Sequence, residues 1–258
     1  MLPLSTRLYR MVWCMKHRIG MKTHPWGRNS TRWLTELKDA HRGKRCFIIG
    51  NGPSLRQTDL TKLREEYTFG MNRIYILFPE LGFHTTYFVS INHLVVKQCA
   101  QDILSLPMPK FLPWYSRRDL GTATSDTIFL NVVCGLDRPG FTTDMRKTFW
   151  HGATVTYVAM QLAYHMGFEQ VILIGVDHSF VEKGPAGQTV ISHGNDPNHF
   201  DPNYFGKGFA WQLPDLENSE KAYRFAREGF EKDGRQILDA TIDGKLTIFP
   251  KADYSSLF

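Results

Sequence analysis

The chain has 258 residues, 42% of them hydrophobic, and a formal charge of +6. That length and apolar content suit one α/β domain with decoration and exclude a disordered or fibrous chain. The charge favours anionic partners such as nucleotide-sugars, anionic glycans, lipid headgroups or nucleic acid, without choosing among them. Cys14, Cys46, Cys99 and Cys134 form no CxxC pair and no zinc-like spacing, so they read as reduced cysteines of a cytoplasmic protein. No run of about eighteen apolar residues is available to span a membrane. The apolar stretch near Met11 is interrupted by Lys16 and Arg18, unlike a secretory signal.

Residues 1–42 read as a basic amphipathic segment ahead of a nucleotide-binding domain at 43–258. Arg7, Arg10, Lys16, Arg18, Lys22, Arg28 and Arg32 interleave with Leu4, Leu8, Met11, Val12, Trp13, Met15, Ile19 and Trp26. Two readings stay open. Residues 1–30 lie on an anionic inner-membrane surface, or they form a solvated basic helix packed on the domain. No recognised helix or zinc motif presents these charges to nucleic acid, which is not an expected partner.

Arg45-Cys46-Phe47-Ile48-Ile49 is an apolar run suited to a buried parallel strand, and Gly50-Asn51-Gly52-Pro53-Ser54 follows it as a sharp turn. Gly50 and Gly52 permit close backbone approach to a ligand, while Pro53 suits the first position of a helix. The turn is therefore expected to aim N–H groups and a positive helix end at a phosphate. It is neither a dinucleotide fingerprint nor a Walker loop. Thr58 to Leu63 reads as a capping residue followed by helical spacing, Tyr67 to Met71 as a second strand ending at Asn72-Arg73, and Thr85 to Ile91 as a third ending at Asn92. A helix from about Leu94 to Leu104 is expected next.

Pro107, Pro109 and Pro113 make the following stretch irregular. Thr127 to Val133 reads as a strand, with a loop around Asp137 to Thr143. Helical spacing returns over Thr154 to Met166, ended by Gly167, and Gln170 to Asp177 is the clearest buried strand, tipped by His178 and Ser179. Residues 183–216 carry His193, Asp196, His199, Asp201 and Lys207 in a long lid loop. A helix over Glu217 to Lys232 and a closing strand over Lys245 to Phe249 complete one Rossmann-like α/β domain. Its sheet is expected to be mostly parallel with helices on both faces. In such sheets ligands lie outside the carboxyl ends of the strands, so Asn51, Asn72, Asn92 and Asp177 should converge on one pocket.

Three stretches carry a family resemblance: Ile48 to Leu55, Phe69 to Tyr75 and Met166 to Asp177. They resemble the MptE-like 6-hydroxymethylpterin diphosphokinase family, whose members often accompany surface-polysaccharide genes. They are also similar to bacterial CMP-sialic-acid-dependent sialyltransferases. The resemblance spans about residues 45 to 250. It implies metal-independent, inverting sugar transfer from a CMP-linked acidic sugar to a glycan acceptor, with nucleotide contacts at Asn51, Asn72, Asn92 and the Thr154 to Thr156 helix start. Val155 stands where that family keeps a serine, and Ser179 where it keeps an aromatic residue. The family's catalytic histidine lies in the long loop, and His199 is favoured over His193; His178, beside Asp177, is the rival base. Arg73 and Lys207 are the candidate cations for the leaving phosphate. The runner-up activity, diphosphate transfer from ATP to a pterin alcohol, would need Mg²⁺ on Asp177 with Asp196 or Asp201. A non-catalytic nucleotide-sugar-binding accessory protein is the third reading. The sequence leaves the oligomeric state open.

Overall fold

The computed structural model describes residues 4–132 and 140–258, with residues 4–11 described as helical backbone alone. The expected strand end at Val133, together with Cys134 and the loop start at Asp137, lies outside the described residues. Two helices open the chain, α1 (Leu4–Thr23) and α2 (Pro25–Glu36). His24 caps α2 by accepting the Trp26 N–H, and Pro25 occupies the first turn, where its missing donor costs nothing. There follow β1 (Arg45–Ile49), β2 (Tyr67–Met71), the short α3 (Phe78–Leu81), β3 (Tyr87–Val89), α4 (His93–Gln98) and α5 (Ala100–Ser105). Next come β4 (Lys110–Pro113), α6 (Arg117–Leu120), β5 (Thr127–Leu130), α7 (Val155–His165) and β6 (Gln170–Ile174). β7 (Thr189–Ile191), β8 (Ala210–Gln212), α8 (Leu216–Lys232) and β9 (Gln236–Asp239) complete the described elements.

Seven strands form one parallel sheet in the order β5-β4-β3-β2-β1-β6-β9. The central strands are apolar on both faces because each face carries a core. One core joins Cys46, Ile48 and Leu173 to α7 and α8, and the other joins Phe47, Ile49 and Ile174 to α4, α5 and the lid. The architecture is thus the expected Rossmann-like α/β domain with helices on both faces. Chain order reverses at β1, whose neighbours are β2 and β6, so a crevice opens between the carboxyl ends of β1 and β6.

Several local expectations change. β4 was not legible, and its first residue is a fully buried lysine: Lys110 Nζ donates to the Leu106 and Met108 carbonyls and pairs with Asp126 at 2.8 Å. The closing strand is β9 rather than 245–249; Lys245 N–H donates to the Asp177 carbonyl at the tip of β6, and the bridge to Asp239 of β9 is made further on, at Lys251. The helix expected over 94–104 breaks into α4 and α5 at Cys99, and Leu60–Leu63 is a 3-10 turn. α2 covers the outer edge of β5: Ser30 Oγ accepts the Phe129 N–H at 2.8 Å, and Asn29 and Trp33 donate to the Ser125 carbonyl. Leu34 is fully buried beneath it, so α2 shares the core of residues 43–258 although it falls within the segment assigned to 1–42. Cys46 and Cys99 are free and buried, whereas Cys14 is disulfide-bonded, which corrects the expectation of four reduced cysteines.

Candidate functional site at the β1/β6 crevice

The tips of β1, β2 and β6 enclose a cavity of ≈ 180 Å³ whose lining includes Gly50, Asn51, Asn72, Thr154, Thr156 and His199. A second cavity of ≈ 390 Å³ shares Asn72, Thr154 and His199 with it and extends past Asn92, His93, Tyr115 and His151 toward Trp211. Asn51, Asn72 and Asn92 therefore do lie along one sheet edge, Asn51 in the first cavity, Asn92 in the second and Asn72 in both. Asn72 sits in the left-handed region at φ 52°, a conformation Asn tolerates better than most residues. Asn51 Nδ2 donates to the Met71 carbonyl at 3.1 Å, while its Oδ1 is buried with no hydrogen-bond partner. Asn92 also caps α4, accepting the Leu94 N–H.

The Gly50–Ser54 turn is built differently from the expected phosphate cradle. Gly50 N–H donates to the Ile174 carbonyl and Gly52 N–H to the Gly175 carbonyl, joining the turn to β6. Ser54 donates its N–H to Asp177 Oδ1 at 3.1 Å and its hydroxyl to Oδ2 at 2.7 Å. A side chain at Gly52 would collide with the Asp177 carboxylate, and one at Gly50 with the Gly175 carbonyl. These glycines permit strand-to-strand approach. Pro53–Gln57 is a single 3-10 turn, too short to act as a helix end, and Pro53 and Ser54 are not among the residues lining either cavity.

Asp177 accordingly holds the turn and does not orient His178. Burial raises the Asp177 carboxyl above its ordinary range, against the opposing effect of the Ser54 hydrogen bonds. The partner of His178 is Glu220 on α8, 3.1 Å from Nε2. Nothing in the pattern near His178 signals that pairing, since the two residues lie forty-two positions apart.

His199 is placed where the two cavities meet. Its Nδ1 is 2.7 Å from Asp196 Oδ2, and Asp196 also accepts the Asn198 N–H. The ring stacks on Tyr204 at 4.0 Å and 7° and meets Phe205 edge-on, which fixes its plane. A nearly buried carboxylate at Nδ1 favours the tautomer that donates from Nδ1, which leaves Nε2 as the acceptor nitrogen. The spacing Asp196-x-x-His199 was the available signal for this pair.

The lid that carries His199 is docked on the sheet edge. Phe200 N–H donates to the Asn51 carbonyl at 2.9 Å, and Arg56 Nε donates to the Phe200 carbonyl. The Gln98 amide clamps Ala210 from α4 with two hydrogen bonds, and β7 and β8 pair as an antiparallel hairpin. Within the lid, Phe200, Tyr204, Phe205 and Trp211 belong to the core on that face of the sheet. A loop with that much apolar surface has a defined seat on the sheet.

The expected cations are elsewhere. Arg73 lies over Tyr204 and Phe209, with its Nε buried and unpartnered, and it lines neither cavity. Lys207 is exposed, and His193 lines a separate recess of the lid. Among the described residues, no lysine or arginine lines either cavity. The first turn of α7 lines both cavities instead: Thr154 caps the helix by accepting the Thr156 N–H and contacts the Tyr223 hydroxyl. That end of an eleven-residue helix carries the positive pole of its dipole.

The carboxylates expected to hold Mg²⁺ do not fit it. Asp177 is taken by Ser54, Asp196 by His199 and Asn198, and Asp201 by the Asn203 N–H with Arg56 nearby. Among the described residues no group of three or more His, Cys, Asp or Glu is arranged around a metal position. No helix among them is long and apolar enough to cross a membrane.

A single parallel sheet with its crevice at the reversal of strand order defines a Rossmann-like α/β protein. The family model for 6-hydroxymethylpterin diphosphokinase MptE-like proteins matches residues 26–183, more than half of the chain, which belongs to this family. The match starts earlier than the resemblance at about residue 45, inside α2, and stops before the lid hairpin. No curated protein matches the sequence. Among solved structures, the MAf glycosyltransferase from Magnetospirillum magneticum AMB-1 is similar, with a TM-score of 0.52 and 13% identity, over 90% of this chain and 39% of that one. The chain thus spans well under half of that protein's length, and the likeness is one of fold.

Proposed function

We propose that this chain is an inverting glycosyltransferase that uses a nucleoside-monophosphate-linked acidic sugar, such as a CMP-sugar, with His199 as base and Asp196 as its positioning partner. The observation that carries this reading is the His199–Asp196 pair at the junction of two cavities. In the reaction, an acceptor hydroxyl in the second cavity attacks the anomeric carbon of the donor sugar. His199 Nε2 takes the hydroxyl proton as the new C–O bond forms, and the bond from that carbon to the phosphate oxygen breaks with its electrons leaving on CMP. The leaving group is stabilised at the first turn of α7 by the helix dipole and the Thr154 and Thr156 hydroxyls. Asn51 Oδ1, a buried acceptor without a partner, suits a ribose hydroxyl or a base amino group.

The absence of Lys and Arg from the described lining favours one phosphate over three. An ATP tail carries several charges that need cations or a metal to neutralise them. Family membership keeps diphosphate transfer to a pterin alcohol as the second reading, because the same histidine base would serve an attacking alcohol there too. An accessory protein that binds nucleotide-sugar without turning it over is a third. Transfer and donor hydrolysis with a CMP-linked acidic sugar test the proposal. His199→Asn should lower kcat about a thousandfold and Asp196→Asn about ten- to a hundredfold, with donor KM little changed. Equal turnover by wild type and His199→Asn would overturn the assignment, and Mg²⁺-dependent transfer from ATP would replace it with the second reading.

A further inference from the structure

We propose that α1 docks this chain on an anionic membrane surface through Val12, Met15 and Ile19, flanked by Lys16, Arg18 and Lys22. The three apolar side chains are 52%, 59% and 54% exposed, unusual values for large aliphatic residues in a folded chain. Their spacing of three and four residues sets them in one stripe along the helix. At about 100° per residue, Lys16 lies on one side of that stripe and Lys22 and Arg18 on the other, and all three are exposed. The opposite face is the packed one. Met21 is buried, Trp13 lies against Tyr115, and Gly20 approaches the Trp114 ring, so the helix is anchored with its apolar stripe outward.

The charge pattern selects the occupant. α1 contains no acidic residue, so a second copy presenting the same helix would bring like charges together. An anionic bilayer satisfies both features at once. The aliphatic stripe enters the boundary between headgroups and acyl chains, while the lysines and arginine reach up its sides to the phosphates. α1 lies ahead of the family match, which starts at residue 26. Tyr115, against which Trp13 packs, lines the second cavity, so docking sets that cavity beside the lipid surface. Only this last consequence rests on the proposed function; vesicle binding does not.

The test is co-sedimentation of the full chain with phosphatidylcholine vesicles containing a quarter phosphatidylglycerol, against vesicles of phosphatidylcholine alone. Binding to the anionic vesicles should be at least about tenfold stronger and should weaken as salt rises from about 50 to about 500 mM. The triple variant Val12→Ser, Met15→Ser, Ile19→Ser should bind at least about tenfold more weakly. The variant Lys16→Gln, Arg18→Gln, Lys22→Gln should lose roughly fivefold per charge removed. Because all six positions are exposed, unchanged melting of both variants accompanies these losses. Failure of the wild type to bind anionic vesicles would overturn the proposal, as would equal binding by both variants. A dimer in sedimentation equilibrium that the serine variant abolishes would assign the stripe to a second copy instead.

Discussion

At the scale of single residues, Asp177 lines the first cavity and also has a structural task. Its place at the end of the clearest strand suggests catalysis or metal binding, yet both oxygens are engaged by Ser54 and fix the β1 turn to β6. Asn is nearly the same shape, can accept the Ser54 N–H, and carries no charge to desolvate. Asp177→Asn should therefore keep transfer activity within about threefold, whereas Asp177→Ala should destabilise the fold by about 1–3 kcal/mol and release the turn. Turnover and chemical unfolding of the two variants check this, and a thousandfold loss in Asp177→Asn would return the residue to the chemistry. The strand tips themselves were legible, because Asn51, Asn72 and Asn92 each follow an apolar run. Glu220, Tyr223 and the face of Arg73 were not, since no local pattern reports a contact made across the fold.

At the scale of elements, β1, β2, β6, α7 and α8 were legible because apolar runs and helical spacing agree with the burial they acquire. β4 was hidden by its own chemistry: a lysine opens it, Pro109 precedes it and Pro113 ends it, and Lys110 can be buried there because Asp126 and the Leu106 and Met108 carbonyls receive its ammonium. Asp126→Ala should leave the ammonium without its counter-charge and cost about 3 kcal/mol in a denaturant titration. α7 is tied to α2 in a similar way. His165 is fully buried, with Nε2 2.8 Å from the Leu34 carbonyl and Nδ1 accepting the Met145 N–H, so the neutral ring is the form that fits. Burial lowers its pKa below the ordinary value near 6.5. The neutral ring's contribution is then complete above about pH 6.5 and is lost as the pH falls below that, because the unfolded chain takes the proton first. Unfolding midpoints should decline between about pH 7 and pH 5, and His165→Leu, less stable at pH 7.5, should decline less over the same interval.

At the scale of the whole molecule, the reversal of strand order at β1 sets where the crevice opens, and the lid supplies part of its wall. Both were legible as alternation of strands and helices and as one long polar stretch. The lid's aromatic seat was not legible, because Phe200, Tyr204, Phe205 and Trp211 are spaced irregularly and gather only when the loop folds back. Docking by Phe200 and Gln98 predicts that Gln98→Ala, which frees the hairpin at α4, raises KM more than it lowers kcat in the transfer assay. A kcat loss at constant KM would contradict that role.

The central claim is that the β1/β6 crevice binds a nucleotide with a single phosphate, and calorimetric titration of the wild-type chain with CMP and with ATP tests it most directly. We expect CMP to bind at one site, with and without Mg²⁺, at least about tenfold more tightly than ATP, and Asn51→Ala to weaken it by a further tenfold or so. Tighter binding of ATP in the presence of Mg²⁺, or no heat from CMP at all, would contradict the account.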